Sequence, residues 1–157
     1  MLDEEVFSLL GNFSHAKSIK FEVSKVLRQP QKLCVFPMLT DLEVGLVSVN
    51  ILLALLQKTP VLKTLVLKGI RTFVEELLSS AVVPDCLASL HVVKFEEINR
   101  DDHELFLATF FMENGMILES MCFSAARQIL DKYEMMQEFK EKLYLLNFNS
   151  VVEFSYE

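Results

Sequence analysis

A phrase of the form Leu-x-x-Leu-x-(Leu/Val) recurs along this chain, and it constrains the fold more than any other feature. It stands at Leu39-Thr40-Asp41-Leu42-Glu43-Val44, at Leu62-Lys63-Thr64-Leu65-Val66-Leu67 and at Leu87-Ala88-Ser89-Leu90-His91-Val92. Looser copies flank these at Ala16-Lys17-Ser18-Ile19-Lys20-Phe21 and Leu118-Glu119-Ser120-Met121-Cys122-Phe123. Counted between first positions, the steps are 23, 23, 25 and 31 residues. Apolar and polar side chains alternate within each phrase, which is the period of a strand with one buried face. A unit of this size buries its apolar face only against its neighbours, so the copies are expected to stack.

The first three steps fit a leucine-rich repeat of about 20 to 29 residues, and the last, stretched step predicts an insertion or a full helix. Pro37, Pro60 and Pro84 precede the three clearest phrases and mark a turn into each strand; Gly115 takes that place before Leu118. Helical patterns lie between. Over 48–57, Ile51 and Leu55 continue a stripe from Val47, with Leu52 and Leu56 beside it and Asn50, Gln57 and Lys58 polar. Thr72 and Glu75 form a capping box for a short helix carrying Val74, Leu77 and Leu78. Asp101 with Glu104 starts a helix through Leu105, Ala108 and Met112 that stops at Asn114-Gly115. Asp131 with Glu134 starts another, with Met136, Phe139, Leu143 and Leu146 on one face and Lys132, Lys140 and Glu141 opposite. Val152, Phe154 and Tyr156 alternate with polar neighbours as a closing strand, and residues 2–12 read as the helix of a preceding repeat through Val6, Leu9 and Leu10. The expected fold is α/β, a short horseshoe of leucine-rich repeats. With 157 residues, 52% of them hydrophobic, it has the material for one compact domain.

Charge and motif content narrow the function by exclusion. A net charge of -7 and a pI near 5.0 speak against a nucleic-acid partner, which calls for clustered Lys and Arg. The longest apolar run, Ile51 to Leu56, falls far short of the roughly 18 residues of a membrane span. The first residues, Met1-Leu2-Asp3-Glu4-Glu5-Val6, are acidic where a secretory signal is basic, so a cytoplasmic or nuclear, unsecreted protein is expected. Cys34, Cys86 and Cys122 form no C-x-x-C pair and suit reduced thiols. His15, His91 and His103 share no ligand spacing, so no metal is expected. Asp101, Asp102 and Glu104 lack the pattern of a calcium loop and fit helix capping better. Met112, Met116, Met121, Met135 and Met136 fit core filling. His91 has no nucleophile or orienting acid near it, and no phosphate loop or nucleophile elbow occurs, so neither catalysis nor a cofactor is expected.

The residues between the apolar positions of each phrase face away from the core. They are Ser18 and Lys20, Asp41 and Glu43, Thr64 and Val66, Ser89 and His91, and Ser120 and Cys122. Repeat proteins bind on such surfaces, so this row, expected to be concave, is the candidate partner-binding face. Lys20 and Lys68 are the cations it offers to an acidic small ligand.

Val83-Pro84-Asp85-Cys86-Leu87-Ala88-Ser89-Leu90, an acidic helix into Phe111-Met112-Glu113-Asn114-Gly115, and then Leu118-Glu119-Ser120-Met121 resemble the plant F-box proteins that carry leucine-rich repeats and a C-terminal FBD domain. Phe139-Lys140-Glu141-Lys142-Leu143 and Glu153-Phe154-Ser155-Tyr156 are similar to that family's closing helix and strand. Phe36-Pro37-Met38-Leu39-Thr40-Asp41-Leu42 and Pro60-Val61-Leu62-Lys63-Thr64-Leu65 resemble its last repeats. The resemblance implies repeats over 1–83 and an FBD-type segment over 84–157 that continues the solenoid and closes it with a helix and a strand. It implies a protein-interaction role, as in the substrate-recognition subunit of a cullin-based ubiquitin ligase. The F-box that docks to the ligase adaptor is missing, so adaptor binding is not expected and the chain reads as a truncated relative. Since some leucine-rich F-box proteins are hormone receptors, the alternative is a small-ligand sensor.

Overall fold

In the computed structural model of the chain, the described residues are 12–22, 33–70, 84–98, 102–115, 117–125, 131–145 and 151–155. They form six strands and three helices: β1 (Ser18–Glu22), β2 (Asp41–Val47), α1 (Val49–Gln57), β3 (Thr64–Ile70), β4 (Val92–Ile98), α2 (His103–Asn114), β5 (Ser120–Ala125), α3 (Lys132–Tyr144) and β6 (Val151–Ser155). A short 3-10 turn, Asp85–Ala88, precedes β4. The six strands make one sheet in sequence order, and every neighbouring pair is parallel. Parallel neighbours need a crossover long enough to return the chain to the same end of the sheet.

One face of the sheet is a core. Leu42, Val44 and Val47 of β2, Leu65, Leu67 and Ile70 of β3, Val93, Phe95 and Ile98 of β4, and Met121, Phe123 and Ala125 of β5 are all buried. They join one hydrophobic cluster with Ile51, Leu52 and Leu55 of α1, Leu107 and Phe111 of α2, and Met136, Phe139 and Leu143 of α3. The three helices therefore cover the same face. Met121, Met135 and Met136 lie in that core and Met112 packs against it, while Met116 lies outside the described residues.

The spacing of the buried positions explains an irregularity in the pattern. Val44 and Val47, Leu67 and Ile70, and Phe95 and Ile98 are three residues apart, whereas strict alternation would space them by two. Each strand achieves this with one residue in the left-handed region: Leu46 at φ 53°, Gly69 at φ 84° and Glu97 at φ 62°. The register, with Val47 opposite Ile70 and Lys68 opposite Glu96, puts these three residues in one row across the sheet. The extra residue kinks each strand so that the next side chain turns back into the core, as a bulge does. Strand β5 returns to ordinary alternation, and the β4–β5 register shifts between Phe95 and Ile98 where the bulge ends.

Strand starts are joined by a repeated bonding pattern. The Lys17 carbonyl accepts the N–H groups of Thr40 and Asp41, Thr40 accepts Lys63 and Thr64, Lys63 accepts His91 and Val92, and His91 accepts Glu119 and Ser120, at 2.8 to 3.2 Å. Lys17, Thr40, Lys63, His91 and Glu119 are thus equivalent positions. That equivalence corrects the third phrase: β4 begins three residues later than expected, and its phrase is Leu90-His91-Val92-Val93-Lys94-Phe95, with Val93 opposite Leu65 and Phe95 opposite Leu67. Leu87 is buried in the 3-10 turn instead.

Helices α1, α2 and α3 fall where the periodicity places them. Helix α1 is buried more fully than a stripe, with Leu53 inside as well. Helix α2 does not end in a left-handed glycine, since Gly115 has φ -77°. A Cβ there would lie 2.7 Å from the Phe111 carbonyl oxygen, so lack of room, not handedness, demands glycine. Neither Asp102 nor Asp131 caps its helix through the side chain; Asp102 accepts from Lys142 Nζ at 3.0 Å instead, and Asp131 itself adopts φ 56°. Residues 2–11 of the helix expected over 2–12, the helix expected around Thr72 and Glu75, and Asp101, Leu146 and Tyr156 lie outside the described residues.

Candidate functional site

The face of the sheet opposite the helices is open among the described residues, and the register orders its side chains into rows. The first row runs Ser18, Asp41, Thr64, Val92 and Ser120, and the second Lys20, Glu43, Val66, Lys94 and Cys122. Lys68 and Glu96 pair in a third. Lys20, Asp41 and Lys94 are exposed, while Glu43, Thr64, Val66, Lys68, Val92, Glu96, Ser120 and Cys122 are half-buried by their strand neighbours. Alternation alone produces this division, because the residues between them are committed to the core.

Nine of the eleven face residues named from the sequence meet on this surface: Ser18, Lys20, Asp41, Glu43, Thr64, Val66, Lys68, Ser120 and Cys122. Ser89 and His91 do not. The Ser89 hydroxyl donates to the Leu62 carbonyl at 2.8 Å and sits 2.9 Å from the Cys86 carbonyl, closing the 3-10 turn. The His91 ring holds Nδ1 2.8 Å from the Ser89 carbonyl, and its backbone links strand starts. Val92, Lys94 and Glu96 occupy the face in their place. A signal for them was present in Val93-x-Phe95 with Ile98 three residues on, which repeats the buried spacing of the two preceding strands.

Charge on the face is arranged as an alternating ladder. Lys20 Nζ lies 2.9 Å from Glu43 Oε2, and Lys68 Nζ lies 3.9 Å from the same oxygen and 3.5 Å from Glu96 Oε2. Such exposed pairs contribute about 0 to 1 kcal/mol each and fix side-chain positions more than they stabilise the fold. They also tie up both Lys20 and Lys68, the cations on which an acidic small ligand would depend. Lys94 has no ion pair among the described residues.

Chemically reactive groupings are sparse. Among the described residues no three His, Cys, Asp or Glu side chains come together as a metal site, and no helix is long and apolar enough to cross a membrane. Among the described residues, Cys34, Cys86 and Cys122 form no disulfide. Burial pushes the Cys86 thiol up from 9.0 to about 11, against a smaller opposing effect of its hydrogen bond with Thr59. That thiol is inert core, because nucleophilic cysteines need the opposite shift.

Two comparisons with known proteins return nothing: no curated protein and no solved structure matches the chain. A third does, and it places an FBD domain over residues 79–123, the stretch that contains the 3-10 turn, β4, α2 and most of β5.

Proposed function

We propose that this chain is a protein-interaction module, a short leucine-rich-repeat solenoid that holds a protein target on its open sheet face and catalyses nothing. The carrying observation is the ordered double row Thr64–Val92–Ser120 and Val66–Lys94–Cys122, presented to solvent by strands whose other face is fully used in the core. Mixed apolar, hydroxyl and charged side chains on a rigid sheet suit protein recognition, where polar groups give register and apolar ones give contact area. The solenoid reading is supported by the parallel strands in sequence order and by Leu39, Leu62 and Leu90 each standing two residues before its strand. The FBD match adds the context of F-box-type proteins, in which the module would recognise a ubiquitin-ligase substrate in the cytoplasm or nucleus. Docking to a ligase adaptor is no part of this proposal, since that is the task of an F-box. The ion pairs of Lys20 and Lys68 with Glu43 and Glu96 weaken the small-ligand alternative, because an acidic ligand would compete with those carboxylates.

The test is co-precipitation from plant cell extract, read by mass spectrometry, with the wild-type chain beside the double variant Val66→Glu and Lys94→Glu. At least one partner is expected with the wild type and lost with the variant, while thermal unfolding of the two stays alike. Identical partner sets for both chains would remove the sheet face from the proposal.

A further inference from the structure

A second surface lies at the leading edge of the sheet, where the chain turns into β1, β2 and β3. Segments 12–17, 33–40 and 58–63 contain Lys17, Lys58 and Lys63 and no carboxylate, in a chain whose net charge is -7. Backbone bonds gather the three segments: Thr40 N–H to the Lys17 carbonyl at 2.9 Å, Lys63 N–H to the Thr40 carbonyl at 2.8 Å, and Phe36 N–H to the Lys58 carbonyl at 2.7 Å. Neighbouring strands lie about 4.8 Å apart, so the backbones of Lys17 and Lys63 are separated by about 10 Å across Thr40. Lys17 and Lys63 are exposed, and no lysine of the three has an ion pair among the described residues. The first carboxylate inward, Asp41, is held by the Thr40 hydroxyl at 2.9 Å.

Apolar side chains stand among these cations. Met38 and Val61 occupy equivalent turn positions, one residue before Leu39 and Leu62, and are 44% and 39% exposed; Val35 is 50% exposed. Where the same edge continues beneath β4 and β5, its sign changes, with Asp85 in the 3-10 turn and Glu119 ahead of β5. The basic, apolar stretch is therefore local to the first three strands.

We propose that this edge docks an acidic segment of a partner protein that carries apolar side chains between its carboxylates. Lysines on either side of exposed Met38 and Val61 give carboxylates and apolar groups adjoining places, and charge complementarity of this kind steers association and fixes register. An anionic membrane is the poorer match: binding there scales with the number of basic residues, and three lysines on a chain of net charge -7 give little net attraction.

The experiment is fluorescence anisotropy with the whole chain and three labelled probes: a short peptide alternating Glu and Leu, one alternating Lys and Leu, and one alternating Glu and Gly. The Glu/Leu peptide is expected to bind best and to weaken as salt is raised. The double variant Lys17→Glu and Lys63→Glu is expected to weaken it about tenfold, the scale of two exposed ion pairs. Met38→Ser with Val61→Ser is expected to reduce Glu/Leu binding toward that of Glu/Gly, and Lys142→Glu on α3 to leave it unchanged. All substituted side chains are exposed or at turns, and thermal unfolding of each variant is the check that it is folded. Absence of Glu/Leu binding, equal binding of the Lys/Leu peptide, or indifference to the lysine reversal would overturn the proposal. A loss with Lys94→Glu would move the site to the sheet face, and recovery on phosphatidylserine-rich vesicles with no peptide binding would replace the partner by a membrane.

Discussion

The first half of the sheet and the second are built on the same backbone plan with different cores. Val44 and Leu67 lie side by side in β2 and β3; in the same row β4 and β5 carry Phe95 and Phe123, stacked at 5.2 Å and nearly parallel at 4°. Phe111 of α2 and Phe139 of α3 close on that stack at 6.3 and 4.9 Å. The step from Asp41 to Thr64 is 23 residues, while those from Thr64 to Val92 and from Val92 to Ser120 are 28. Helix length follows: nine residues in α1, twelve in α2. In the longer units ring-sized side chains occupy the row that Val and Leu occupy in the shorter one. The FBD match takes in Phe95, Phe111 and Phe123 of that cluster.

The sharpest way to break this comparison is truncation within the shared row. Phe95→Ala is expected to cost about 4 kcal/mol and Leu67→Ala about 3, measured by urea unfolding. A double-mutant cycle on Phe95 and Phe123 should show a coupling of about 1 kcal/mol beyond area burial. Equal losses and zero coupling would mean that the rings act only as bulk.

The seam between the halves has its own signature. Cys86, in the 3-10 turn, shares a hydrogen bond with Thr59, two residues past the end of α1, and burial raises its thiol from 9.0 to about 11. The folded chain keeps that proton when the unfolded chain has lost it, so stability is full below pH 9 and falls as pH rises through 9 to 11, by about 2 to 3 kcal/mol. The measurement is thermal unfolding across that range for wild type and Cys86→Ala; the wild type should decline more steeply than the variant.

A smaller effect sharpens what the halves share. Leu46 and Glu97 hold the left-handed conformation that Gly69 adopts freely, so Leu46→Gly and Glu97→Gly should each stabilise by about 1 kcal/mol. Gly69→Ala should destabilise by a similar amount through its backbone, since the added Cβ would find Leu46 Cδ2 at 3.7 Å, an ordinary contact. The smallest effect belongs to the charge ladder, where Glu43→Gln should cost about 0.5 kcal/mol at low salt and less at high salt.

The two halves also differed in how legible they were. Leu39, Leu42 and Val44, and Leu62, Leu65 and Leu67, place β2 and β3 in the register that the structure shows. In the third unit Leu87, Leu90 and Val92 imitate the phrase three residues early, because the 3-10 turn buries Leu87 at a spacing that mimics a strand. Aromatic and β-branched side chains replace leucine in the true phrase, so a search for leucine passes over Val93 and Phe95. On the face, that slip exchanged Val92, Lys94 and Glu96 for Ser89 and His91. The bulge row and the ion-pair ladder are products of register across strands, which no single phrase contains.

The make-up of the open face depends on β4 entering the sheet at Val92, and the native thiol of Cys122 reports on that directly. The register sets Lys94 opposite Cys122, whereas the earlier phrase would set His91 there. Paired positions on neighbouring strands lie within the roughly 4.4 to 6.8 Å that a disulfide spans. Lys94→Cys and His91→Cys would each be oxidised and mapped by peptide mass spectrometry. A rapid crosslink from position 94 to Cys122 and none from position 91 is expected; a crosslink from 91 with none from 94 would mean that β4 enters the sheet three residues earlier.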